Sequence, residues 1–236
     1  MRSVRAVETS QVGVGSVVRS AGWLTLARSW FACTAFVVLI ALVIQVRVVL
    51  EQDSGFFDSD AERVANIFTY FTIWSNMLVG VTCALLALRL DRRSRAFRTI
   101  YLTGVLMITV TFVVVIVALD PITEYEGKAA AADFLTHKLV PVMSVLGWLI
   151  FGPRRQVDRQ VVLGSLVIPI VWLIFTLVRG PFASDFYPYP FVDVAELGYP
   201  RVLLNCAVVA VLFLGLAMGA QALDERLPKI PRSSER

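Results

Sequence analysis

The chain contains a single histidine, His137, and an aspartate, Asp133, precedes it by four residues. On a helix such a pair is one turn apart, so the carboxylate reaches an imidazole nitrogen along one face and fixes the tautomer. An imidazole held in this way is a base, and it needs a partner that gives up a proton. The stretch "FTYFTIWSNMLVG", residues 68–80, offers Thr69, Thr72, Ser75 and Asn76 in otherwise apolar surroundings. A threonine hydroxyl is a poor nucleophile until a base takes its proton, so Thr72, His137 and Asp133 would together form an acyl-transfer relay. Asn76 or Ser75 would then donate a hydrogen bond to the developing oxyanion.

Competing chemistries lack their parts. The chain has no G-x-S-x-G elbow, no H-E-x-x-H, no Gly-rich phosphate loop before a helix and no H-x-x-x-x-D arrangement after His137. One histidine cannot supply two axial imidazoles to a membrane haem. Cys33, Cys83 and Cys206 lie inside apolar runs, with no CxxC and no second ligand type at metal spacing, and read as packing residues. Neither a metal nor an organic cofactor is expected.

The elements that must position these groups are membrane helices. Of 236 residues, 57% are hydrophobic and 17% charged, and the mean hydropathy is +0.73, far outside the range of a soluble domain. A spanning helix takes about 20 apolar residues, and six segments qualify: 29–50, 64–88, 97–119, 129–151, 160–178 and 202–221. The expected fold is all-α, a polytopic bundle of six transmembrane helices over residues 29–221, with no room for a separate soluble domain. Residues 1–28 form an N-terminal tail that is too polar to span. In it Val17, Val18, Trp23, Leu24 and Leu26, beside Arg19 and Arg28, either lie along the membrane interface or belong to a disordered segment. The first apolar run continues without a small-residue cleavage site and reads as a retained anchor. Residues 222–236, ending "PKIPRSSER", read as a flexible tail.

Charge orients the bundle. Arg2, Arg5, Arg19 and Arg28, five arginines between 89 and 98, Arg154, Arg155 and Arg159, and Arg226, Lys229, Arg232 and Arg236 all fall on one side of the six crossings. The opposite loops collect Glu51, Asp53, Asp58, Asp60 and Glu62, then Asp120, Glu124, Glu126 and Asp133, then Asp185, Asp193 and Glu196. The positive-inside rule therefore places both termini in the cytoplasm and the acidic loops outside. A pI near 9.2 does not point to nucleic acid, because the basic residues mark membrane boundaries rather than one surface stripe. The preference for Arg over Lys, with abundant Ala and Val, fits a GC-rich bacterial genome, and hence a bacterial plasma membrane.

Depth brings the reactive groups together. With the second helix starting near Val64 on the outer side, Thr72 lies about 12 Å below the boundary, on a face shared with Thr69 and Asn76. The alanines at 129–132 are strong helix formers that carry the fourth helix outward to about Lys128, which puts His137 about 13 Å deep. Other readings of each residue stand beside this one. Hydroxyls in membrane helices ordinarily bond their own carbonyls, and Asn binds neighbouring helices. A buried histidine can tie helices together, while Asp133 and Lys138 can sit at the interface. An ionisable residue at membrane depth nonetheless marks a functional site more often than not.

The fifth connection, "RGPFASDFYPYPFVDVAELGYPR", has prolines that oppose continuous helix and a row of rigid aromatics. Tyr187, Tyr189, Pro190 and Phe191, with Trp74 of the second helix, either form an interfacial aromatic belt or roof a pocket for an acyl chain.

Three segments, "YFTIWSNMLV", "FLTHKLVPVM" and "YPYPFVDV", together with six helices, resemble the androgen-induced-gene and androgen-dependent TFPI-regulating protein family over roughly residues 30 to 220. The chain looks like a bacterial branch. The resemblance implies a six-helix intramembrane threonine hydrolase that splits fatty acid esters of hydroxy fatty acids with one threonine and one histidine. It carries the threonine onto Thr72 and the family's "VYPFL"-like segment onto residues 189–192. Where the family has two histidines three apart ahead of a proline, this chain has His137 ahead of Pro141, and His137 takes the role. The expected partners are membrane lipids and an acyl-lipid substrate. The rivals are a non-catalytic lipid-binding or sensing protein and a small transporter, the latter disfavoured by the absence of a visible repeat.

Overall fold

The computed structural model describes residues 21–51, 56–119 and 125–227. Among them there is no strand, and six helices are long and apolar enough to cross a membrane: Ala21–Leu50, Phe71–Leu88, Arg95–Leu119, Gly127–Ile150, Arg159–Phe182 and Val194–Arg226. Interruptions divide these six rods, and we number the α-helical pieces α1 (Ala21–Leu50), α2 (Asp60–Ile67), α3 (Phe71–Leu88), α4 (Arg95–Val114), α5 (Gly127–Asp133), α6 (Val140–Ile150), α7 (Arg159–Ser165), α8 (Val167–Arg179) and α9 (Val194–Arg226). Most of the N-terminal tail, residues 1–20, and the end of the C-terminal one, residues 228–236, lie outside the described residues. α1 covers Ala21–Leu50, so Trp23, Leu24 and Leu26, which the sequence placed in the tail, belong to the first helix. α9 runs on to Arg226, past the predicted end at 221.

Three interruptions have local causes. The predicted helix over 64–88 is broken at residues 68–70, where β-branched and aromatic residues crowd together. There Phe68, Thr69 and Tyr70 donate to carbonyls three residues back, and the Thr69 hydroxyl bonds the Asn66 carbonyl at 2.7 Å, tightening and ending α2. Thr69 therefore lies in the break rather than on a face shared with Thr72 and Asn76. In the fourth rod, Pro141 has no N–H for the His137 carbonyl, and residues Phe134–Leu139 wind as a π-helix, with the Val140 N–H bonded to the Leu135 carbonyl. In the fifth, Pro169 cannot donate to Ser165, and the chain steps at Leu166 between α7 and α8. A capping box starts α2, where Ser59 accepts from the Glu62 N–H and Glu62 accepts from Ser59.

α4 is the central rod, with Leu102, Leu106, Met107 and Ile108 fully enclosed. Close approach around it depends on missing side chains: a Cβ on Gly104 would press the α3 backbone at Val79, and one on Gly80 would meet Val38 of α1. Outward-facing Leu39, Val43, Leu203 and Val211 are exposed, as expected where apolar surface meets hydrocarbon rather than water.

Candidate active site

The break at residues 68–70 sets the position of Thr72. Tyr70 is extended and caps α3 without a side-chain bond, so Thr72 is the second helical residue and its N–H has no carbonyl one turn back. That N–H donates to the Tyr189 hydroxyl oxygen at 3.2 Å. On the facing rod, Asp133 ends α5 and His137 stands in the π-helical stretch. His137 Nδ1 is 2.7 Å from Asp133 Oδ1, and Nε2 is 3.2 Å from Thr72 Oγ1. The other Asp133 oxygen accepts from Lys138 Nζ at 3.1 Å.

With a neutral imidazole the bonds have one consistent direction. A carboxylate only accepts, so the imidazole proton sits on Nδ1 and Nε2 is the acceptor. The Thr72 hydroxyl then donates to Nε2, which leaves its oxygen free to accept from the Tyr189 hydroxyl at 3.1 Å. Tyr189 accepts in turn from the Thr72 N–H. Burial pushes the Tyr189 phenol up to about 12, against the opposing pull of its hydrogen bond to Thr72, so it is a neutral donor at ordinary pH.

Thr72, His137 and Asp133 thus meet, across 65 residues of chain between Thr72 and His137. Ser75 and Asn76 take the second of the two roles open to them in the sequence, bonding main-chain carbonyls rather than an oxyanion. Ser75 Oγ donates to the Thr72 carbonyl at 2.8 Å and lies 3.2 Å from the Thr111 hydroxyl. Asn76 Nδ2 donates to the carbonyls of Thr72 at 2.8 Å and Thr136 at 3.2 Å. Both side chains grip the nucleophile's own backbone from behind, so neither aims a donor at an oxyanion in the cavity; one turn of helix brings them under that carbonyl. Thr69 is likewise occupied, and its carbonyl accepts from Trp172 at 2.8 Å.

A cavity of about 500 Å³ opens in front of Thr72, His137 and Asp133, walled by Gln45, Val48 and Val49 of α1 and by Arg63, Asn66 and Ile67 of α2. Its roof is an aromatic cluster in which Phe56, Phe57 and Phe186 lie with centroids 5.1–5.2 Å apart and Tyr70 meets Tyr189 edge-on at 5.6 Å. A smaller crevice of about 50 Å³, lined by α4, Trp172 and Phe191, reaches Thr72 and Tyr189 from the other side. Of the predicted cap residues, Tyr189 and Pro190 line the cavity and Phe191 the crevice. Tyr187 packs over Gly180, where a Cβ would overlap its ring. Trp74 lines neither space: it caps the broken end of α2 by donating to the Phe68 carbonyl at 2.7 Å.

Sequence reasoning missed the polar use of Tyr189. Arg63 lines the cavity, its guanidinium paired with the Asp60 carboxylate and donating to the Phe57 and Asp58 carbonyls at 3.2 and 3.0 Å. Arg179 donates to the Asn66 side chain at 3.1 Å, lies 5.8 Å from the Phe57 and Phe186 ring centroids and has no carboxylate at salt-bridge distance among the described residues. In the sequence Arg63 and Arg179 are two of six basic residues on the acidic side of the charge pattern. Among the described residues no three His, Cys, Asp or Glu side chains converge as a metal site would need. No family model, no curated protein and no solved structure matches the chain.

Proposed function

We propose that the chain is an intramembrane lipid ester hydrolase acting on fatty acid esters of hydroxy fatty acids or similar acyl lipids. The observation that carries this reading is the chain of contacts from Asp133 through His137 to the Thr72 hydroxyl, at 2.7 and 3.2 Å, facing a cavity roofed by aromatics. His137 takes the Thr72 proton as Oγ1 attacks the ester carbonyl, and Asp133 stabilises the imidazolium. The same nitrogen then protonates the leaving alkoxide. Water attacks the acyl-threonine by the reverse proton route and frees the acid, so the net reaction consumes one water and one ester.

The resemblance of the Thr72, His137 and Tyr189 segments to the threonine-hydrolase family supports the same reading. The apolar walls of the cavity suit acyl chains. With the arginine-rich loops in the cytoplasm of a bacterium, both termini lie inside and the cavity opens toward the outer face of the plasma membrane.

The test is hydrolysis of a palmitoyl ester of hydroxystearic acid by the purified protein in lipid nanodiscs. Thr72→Ala and His137→Ala should each cut turnover by roughly 10⁴–10⁶ while the melting midpoint moves little. Turnover that survives either change would sink the pair. A lipid-binding or sensing role is the second reading, favoured by the size of the roofed cavity; it predicts that the ester binds wild type and Thr72→Ala equally and is cleaved by neither.

A further inference from the structure

We propose that Tyr189 is a catalytic residue whose phenol O–H, with the main-chain N–H of Thr72, holds the oxyanion formed when Thr72 attacks an ester carbonyl. This rests on the hydrolase reading above and adds a group which that reading did not contain.

The geometry is direct. The phenol oxygen is 3.1 Å from Thr72 Oγ1 and 3.2 Å from the Thr72 nitrogen, so it sits beside the bond that forms. In the tetrahedral adduct the new oxyanion and Oγ1 are attached to the same carbon. A donor that already touches Oγ1 reaches the oxyanion by a small rotation of its O–H. When Oγ1 commits a lone pair to the carbonyl carbon it becomes a weaker acceptor, and the carbonyl pair moves onto the oxygen beside it. The phenol bond therefore transfers to that oxygen as charge develops, an interaction stronger in the transition state than in the resting site. The Thr72 N–H, freed as the phenol lone pair turns away, is an unpaired donor at the positive end of α3.

Ser75 and Asn76, the donors nearest in sequence, are committed to the Thr72 carbonyl. The phenol is also held still. Its ring stacks on Phe191 at 5.3 Å and meets Tyr70 at 5.6 Å and Trp172 at 6.1 Å, so only the hydroxyl hydrogen is free to turn. Burial keeps that hydroxyl protonated.

Tyr189→Phe removes the hydroxyl and leaves the ring. In the nanodisc assay kcat should fall about 10²–10³-fold with KM within about threefold, and a long-chain trifluoromethyl ketone, whose adduct with Thr72 presents an oxyanion, should lose potency in proportion. A merely structural tyrosine would not couple ketone potency to kcat. Wild-type kcat or unchanged ketone inhibition in Tyr189→Phe, with Thr72→Ala inactive, overturns the role of Tyr189 alone. Inactive wild type, or active Thr72→Ala, overturns the hydrolase reading and this role with it. If Tyr189→Phe does not fold, 3,5-difluorotyrosine at position 189 retains the shape with a more acidic phenol; the alkaline loss of activity should move to lower pH, and an unshifted profile overturns the proposal.

Discussion

Two carboxylates, one at each end of the bundle, are drawn out of solvent, Asp224 buried and Asp133 half-buried, and their partners differ in kind. Asp224, near the end of α9 and 1% exposed, accepts three main-chain N–H groups: Arg155 at 3.0 Å, Gln156 at 2.7 Å and Val157 at 2.9 Å. Arg155 takes a positive φ of 59° to bring these amides round, so the loop between α6 and α7 is clasped to the last helix. Asp133 accepts instead from side chains, the His137 imidazole and the Lys138 ammonium. A main-chain amide does not release its proton at ordinary pH, so the hydrogen-bond chain stops at Asp224. An imidazole has a second nitrogen, and the chain continues from Asp133 to a hydroxyl and a cavity. Burial alone therefore does not distinguish a latch from a relay; the identity of the donors does.

Exchanging each carboxylate separately breaks or sharpens this contrast. Asp133→Asn should produce the largest effect, a fall in kcat of roughly 10³–10⁴, because an amide in its place allows the other imidazole tautomer; the melting midpoint should move by only a few degrees. Asp224→Ala should do the reverse. Three amides lose their acceptor, at a cost of about 3 kcal/mol in stability, while turnover per folded molecule, measured after removal of aggregate, stays at the wild-type level. Equal damage to both properties in either variant would erase the distinction.

Smaller effects test how the relay is supported. Asn76→Ala releases the Thr72 and Thr136 carbonyls and should slow turnover by about tenfold through a looser nucleophile, with KM unchanged. Ser59→Ala should do least, loosening the capping box of α2 and speeding hydrogen exchange of its amides. That box has a pH signature. The Ser59 hydroxyl and main-chain N–H hold the Glu62 carboxyl below its ordinary range, so its contribution is present above the unfolded carboxylate pKa and is lost as pH falls through the depressed one. The protection of wild-type α2 amides, taken relative to their intrinsic exchange at each pH, should fall in acid toward that of Ser59→Ala.

Legibility from sequence followed the range of the interaction. Six apolar runs and the poly-alanine start of the fourth helix could be read, because hydropathy and helix propensity are properties of neighbouring residues; α5 begins at Gly127, next to the expected Lys128. The Asp133–His137 pair could be read too, as it lies within one turn. The break at residues 68–70 could not. Its residues are apolar enough to continue a membrane helix, and the stop comes from Thr69 and Tyr70 closing short bonds that hydropathy does not register. Missing that break also hid that the Thr72 N–H has no partner in its own helix and donates to Tyr189 instead.

By itself, then, the sequence determined six spans, a charge bias between their loops, and a carboxylate and an imidazole locked one turn apart, because helical periodicity and transfer to hydrocarbon act along the chain. Only the tertiary structure decided which groups meet. Tyr189 reaches Thr72 across 117 residues, and the contacts of Ser75 with Thr111 and of Asn76 with the Thr136 carbonyl depend on how α3 packs against the third and fourth rods. Such contacts are set by the relative rotation of whole helices, which no periodicity within one helix specifies.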